Sequence, residues 1–175
     1  SSAYRRPADL PEGPVLVVGA GNSGAQIAME LARDRKVWLA GRSTGHLPRR
    51  VAGRDLFDWI WPVMTRVTVE SRLGRTLRTR IGSGGDALLG ITEQALQATG
   101  VTRVGRLTQV RGGYPVCEGT LLTPRSIIWC TGYMTDHRWI DLPVCDADGK
   151  PQHQGRVAID SPGIYFMGLR FQSRM

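Results

Sequence analysis

The sequence is poor in the residues that bind metals, staple small domains or cross membranes. Its three cysteines, Cys117, Cys130 and Cys145, stand far apart and form no C-x-x-C pair. An odd number cannot all pair within one chain, so neither a disulfide framework nor a dithiol redox centre is indicated, and a reduced, cytoplasmic setting is expected. His46, His137 and His153 are too few and too scattered for a zinc site, and no metal is expected. No apolar run approaches the length that spans a bilayer, and the first residues carry no secretory signal pattern, so no membrane association is expected. Lysine is nearly missing: Lys36 and Lys150 are the only two among 23 Lys and Arg residues. The arginines lack the interleaved aromatics of a base-stacking surface, so the net charge of +8 does not indicate nucleic acid. No residue presents itself as a general acid, general base or activated nucleophile, and no catalytic residue is assigned.

What remains, 41% hydrophobic residues and 22 glycines in a chain of 175, suits a globular α/β domain able to bury a core. Its most telling stretch is Val15–Val18, a short continuous apolar run of the kind a parallel sheet buries on both faces. Gly19-x-Gly21-x-x-Gly24 follows directly and leads into a helix starting near Asn22 or Ser23, with Ile27 and Leu31 on one face. In a dinucleotide fold each glycine has a separate task. Gly19 permits the tight turn, Gly21 lets a pyrophosphate approach the backbone, and Gly24 lets the helix pack closely on the strand. The helix N-terminus, with Asn22 and Ser23, would present N–H groups and a positive dipole end to the phosphates.

Residues 36–40 read as the second strand, ended by Gly41-Arg42-Ser43. A fold of this kind that prefers NAD has a carboxylate here, bonded to the ribose 2′-hydroxyl. This sequence has Arg42 and Ser43 instead, a guanidinium and a hydroxyl suited to a 2′-phosphate. Arg49 and Arg50, a few residues on, could close over the adenine and its phosphate. The pattern predicts NADP(H) over NAD(H); a solvated basic loop is the alternative reading.

Farther along, residues 1–13 read as an extended lead-in, and residues 56–64 as a short helix broken near Pro62, with Trp59 and Trp61 expected to pack in the core or an interface, lining a site being the alternative. Gly82–Gly85 reads as a loop ahead of a helix over residues 87–99. Residues 101–104, 107–110, 115–117 and 119–122 read as strands of a small meander or hairpin, 126–130 as another fully buried strand and 163–168 as one more. The arginines between residues 66 and 80 suggest a solvated or partner-facing loop and no chemistry.

Three signatures in this order resemble a family. They are Val18–Gly24 leading to Ile27-Ala28; Arg42-Ser43 with His46-Leu47-Pro48-Arg49; and Trp129-Cys130-Thr131-Gly132-Tyr133. Residues 162–169 add a fourth. Together they resemble the NADPH-binding half of flavin-dependent monooxygenases of the flavin-containing, Baeyer–Villiger and plant auxin-forming types. The resemblance implies an α/β, Rossmann-like dinucleotide-binding domain over residues 14–142, with a parallel sheet and a small antiparallel meander. It implies a lead-in linker at 1–13 and a return segment toward an FAD domain at 143–175. It also implies that Thr131, Gly132 and Tyr133 lie at the domain junction, and that NADPH reduces a flavin that then oxygenates a nitrogen, a sulfur or a carbonyl. The family carries a second glycine fingerprint for FAD and a Phe-x-Gly-x-x-x-His motif ahead of this region; neither is in this sequence. The expectation is therefore a fragment, inactive alone, whose FAD domain is supplied by missing sequence or by another chain, and which forms homo-oligomers through an exposed apolar interface. A stand-alone NADP-binding sensor or partner module is the alternative.

Overall fold

The two most apolar stretches, Val15–Val18 and Val37–Ala40, become neighbouring parallel strands with every residue buried. They form the centre of the fold in a computed structural model that describes residues 3–68, 71–72, 75–76, 87–133 and 135–169. The chain divides into two units, residues 1–51 with 85–132, and residues 52–84 with 133–175.

In chain order the elements are β1 (Val15–Val18), α1 (Asn22–Leu31), β2 (Val37–Ala40), β3 (His46–Leu47), β4 (Arg50–Val51), β5 (Arg54–Asp55) and α2 (Leu56–Met64). There follow β6 (Leu88–Leu89), α3 (Glu93–Ala98), β7 (Val101–Val104), β8 (Leu107–Arg111), β9 (Tyr114–Cys117) and β10 (Thr120–Leu121). The last are β11 (Ser126–Trp129), β12 (His153–Gln154) and β13 (Val157–Ala158).

The first unit is built on a four-stranded parallel sheet in the order β11-β1-β2-β7. This is the order of the first four strands of a doubly wound dinucleotide-binding sheet, and it reverses direction between β1 and β11. Alternation along β1 fixes what covers each face. Val15 and Val17 pack with Ala25, Ala28 and Leu31 of α1 and with Leu96 of α3. Leu16 and Val18 point the other way, to Trp38, Ala40, Cys117 and Leu122. A parallel sheet needs both faces covered. Here the second cover is the antiparallel meander β8-β9-β10. The expected fold class is thus the one observed.

The lead-in is tied to this unit. Tyr4 donates a 2.9 Å hydrogen bond to Glu30 of α1, and Arg35 reaches the carbonyls of Pro7 and Pro11. Burial, reinforced by the Glu30 carboxylate, pushes the Tyr4 hydroxyl up to about 12.

Several elements differ from what the sequence pattern predicts. The helix expected over 87–99 is confined to Glu93–Ala98, because Leu88–Leu89 pair in parallel with His46–Leu47 and the chain turns at Gly90 (φ +71°). Thr92 then caps α3, its hydroxyl accepting from the Ala95 N–H at 3.1 Å. β11 is not fully buried. Only Ile128 is, while Ile127 and Trp129 are 39% and 52% exposed, because β11 is an edge strand whose covered face is the α1 side. In the second unit α2 runs through Pro62 rather than breaking. Proline forfeits one hydrogen bond near the helix end, and the Thr65 N–H still bonds the Trp61 carbonyl at 2.9 Å. Residues 163–168 form no strand; Tyr165 makes an isolated bridge to Val157. This unit has its own small core of Val144, Ala158 and Phe166 beside the β12-β13 hairpin. The Gly82–Gly85 loop, with Arg78 and Arg80, lies outside the described residues.

Candidate functional site

The point where strand order reverses is where open α/β sheets leave a crevice beyond the carboxyl ends of their strands. In the first unit a cleft of about 450 Å³ opens there. Val18 and Gly19 line it from the end of β1, Gly41 and Arg42 from the end of β2, and Trp129 and Thr131 from the end of β11.

The three fingerprint glycines are distinguishable by what a Cβ would meet. At Gly19 (φ +109°) it would collide with the Cys130 carbonyl, and at Gly24 with the Gly19 carbonyl. These two glycines let β1, α1 and the chain after β11 converge. Around Gly21 a Cβ would meet nothing within 4 Å. Gly21 therefore leaves open space on the cleft side, where it also caps α1 without any side-chain bond to the helix N-terminus. That terminus has no acidic residue in its first turn. Its N–H groups and dipole are set to receive an anion.

Asn22 has a structural task beside the one its place in the fingerprint suggests. Its side-chain amide donates to the Ala87 carbonyl at 3.1 Å and accepts from the Leu89 N–H at 2.8 Å. It acts as a strand-like clasp that holds β6 against the start of α1. Ser23 is exposed on the first turn. Arg42 lines the cleft and Ser43 beside it is exposed. Arg49 is exposed on the segment between β3 and β4. Thr131 lines the cleft and Gly132 (φ +99°) follows it, whereas Tyr133 begins the second unit and is 77% exposed.

Three cleft residues carry no sequence signal that marks them as ligand contacts. Arg106 and Leu107 come from the β7-β8 turn, and Thr44 follows Ser43. The Thr44 hydroxyl is shut from solvent and has no hydrogen-bond partner. Such a group costs free energy unless an acceptor or donor is supplied. The side chains of Arg42 and Arg106 form no ion pair among the described residues. Arginine, hydroxyl and bare helix N-terminus fit the phosphates of NADP(H).

Burial, with help from Glu118, pushes the Cys117 thiol up, away from thiolate. Among the described residues no three His, Cys, Asp or Glu side chains gather to hold a metal, and no disulfide joins the cysteines. No described helix is long and apolar enough to cross a membrane.

No protein-family model matches the chain. Over 99% of its length it is 36% identical to an uncharacterised CzcO-like oxidoreductase of Geobacillus kaustophilus, covering 50% of that protein. It is 30% identical to the uncharacterised oxidoreductase CzcO of Bacillus subtilis, again over 99% of this chain and 50% of the relative. The chain thus spans about half the length of the curated relatives it matches. A flavin-containing monooxygenase of Stenotrophomonas maltophilia superposes with a TM-score of 0.54 at 21% identity, over 93% of this chain and 43% of that one. A double mutant of a flavin monooxygenase from the same organism gives 0.57 at 22% identity, with the same coverage. The chain is therefore a flavin-monooxygenase-like domain in fold, related along nearly all of its length to one half of the CzcO-type oxidoreductases.

Proposed function

We propose that this chain binds NADP(H) and serves as the nicotinamide-nucleotide domain of an FAD-dependent oxidoreductase of the monooxygenase type. The observation that carries the reading is the cleft at the switch point, where Gly19, Gly21 and Arg42 meet. Gly21 and the N-terminus of α1 receive the pyrophosphate, with Ser23 on the first turn. Arg42 and Ser43 select the 2′-phosphate, and Arg49 lies on the adenine side. Thr131 and Gly132 border the cleft at its β11 wall. The bound nucleotide supplies hydride, for which flavin is the acceptor. This sequence has a single Gly-x-Gly-x-x-Gly fingerprint, so FAD is assigned to a domain outside residues 1–175 or to another chain. The protein's own part is to hold and orient the nucleotide.

The test is calorimetric titration with NADPH and NADH, repeated with Arg42→Ala. NADPH binds more tightly, and the substitution weakens it by about 10- to 100-fold with little effect on NADH, as expected for hydrogen bonds to a charged group worth about 1.5–3 kcal/mol. Equal binding of the two cofactors removes Arg42 from its role. Binding of neither removes the nucleotide reading.

A further inference from the structure

Two arginines far apart in sequence come to the same edge of the sheet. β2 and β7 are adjacent and parallel, with Ala40 paired to Val104. Arg42 and Arg106 each follow that pair by two residues, just beyond the ends of β2 and β7. Both line the cleft. Neither nearby carboxylate, Glu93 or Glu118, forms an ion pair with Arg42 or Arg106. Glu93 faces Arg103 Nε at 3.7 Å, and Glu118 accepts from the backbone N–H of Arg106 at 3.1 Å. The Glu118 N–H in turn donates to the Arg106 carbonyl at 3.0 Å. Glu118 holds this reciprocal clasp at φ +44°, a conformation costly for a non-glycine residue. The backbone of Arg106 is thus fixed from the meander, while neither its guanidinium nor that of Arg42 forms an ion pair among the described residues. Thr44 lines the same cleft, and its buried hydroxyl has no hydrogen-bond partner.

We propose that Arg106 is a second specificity-determining residue, which together with Arg42 and Thr44 encloses a phosphate monoester on the adenosine ribose. This rests on the nucleotide reading above and adds to it. A dianion between two guanidinium groups is held by charge-assisted bonds from both sides. A ribose hydroxyl at that place leaves two like charges facing each other.

The experiment uses fragments that lack the nicotinamide. Adenosine 2′,5′-bisphosphate and adenosine 5′-monophosphate are titrated into the chain and into Arg106→Ala, Thr44→Val and Arg111→Ala. Arg111 ends β8 and is exposed, so its removal controls for net charge. Arg106→Ala weakens the bisphosphate by about tenfold or more and leaves the monophosphate within about twofold, the loss of one charge-assisted contact. Thr44→Val weakens the bisphosphate by a smaller factor, and Arg111→Ala changes neither ligand. Equal weakening of both ligands by Arg106→Ala, or an effect no larger than that of Arg111→Ala, overturns the proposal. An unsubstituted chain that binds both ligands equally overturns it and leaves nucleotide binding standing. A chain that binds neither overturns both readings.

Discussion

At the scale of single residues, Gly21 and Gly24 separate fold from function. A methyl group at Gly24 has nowhere to go, since the Gly19 carbonyl occupies its place. Gly24→Ala is expected to destabilise the domain by roughly 1–3 kcal/mol or more, read as a lowered denaturation midpoint. A methyl group at Gly21 enters open space from an ordinary backbone conformation (φ −76°). Gly21→Ala should therefore leave the midpoint unchanged while weakening NADPH in the same titration. Loss of stability at Gly21, or tolerance at Gly24, contradicts this division. The division is legible in the amino-acid sequence, because the three glycine spacings carry their own steric reasons. Arg106 is not legible there. It lies more than sixty residues beyond Arg42, and only the pairing of Ala40 with Val104 shows that the two share an edge. Thr44 escapes for a different reason: an orphaned hydroxyl is a property of surroundings, which a sequence does not display.

At the scale of elements, β1, β2 and β11 form where the pattern predicts them, but β11 is not buried as expected and residues 163–168 form no strand. β1 and β2 are buried because sheet neighbours flank them and both their faces are covered. β11 has comparable hydrophobicity, yet its outer position leaves Ile127 and Trp129 open. Leu88 and Leu89 read as helical because they precede a good helix, but pairing with β3 overrides that propensity. Asn22 is what holds this pairing beside α1. Its side chain satisfies one carbonyl and one N–H that are partly buried. Asn22→Ala leaves both without a partner and is expected to cost about 1–3 kcal/mol. Hydrogen exchange at the Leu89 amide should accelerate, while the amides of β1 keep their protection. Uniform acceleration along the sheet would show that Asn22 acts on the global fold instead.

At the scale of the whole molecule, the lead-in contributes to stability through one titrating contact. Tyr4 has an unfolded value of 10.0 and is raised to about 12 in the fold by burial and by Glu30. Between these values the unfolded chain releases the proton first, so its population gains. The stabilisation is fully present below pH 10 and is lost as pH rises through 12. Denaturant midpoints measured across that window should fall with pH, and the Tyr4→Phe variant should show a shallower fall. An identical slope in both would assign the alkaline transition to other groups. The sheet has a different consequence for how this protein comes into being. β1 meets β2 soon after both are synthesised, but its other neighbour is β11, at Ser126–Trp129. Until residues 126–129 have been synthesised, the strand Val15–Val18 therefore has one unpaired edge, open to any other extended segment. Long-range parallel pairing of this kind is slow. Emergence from the ribosome, more than life as a finished domain, is when this protein is most exposed to aggregation and most in need of chaperones.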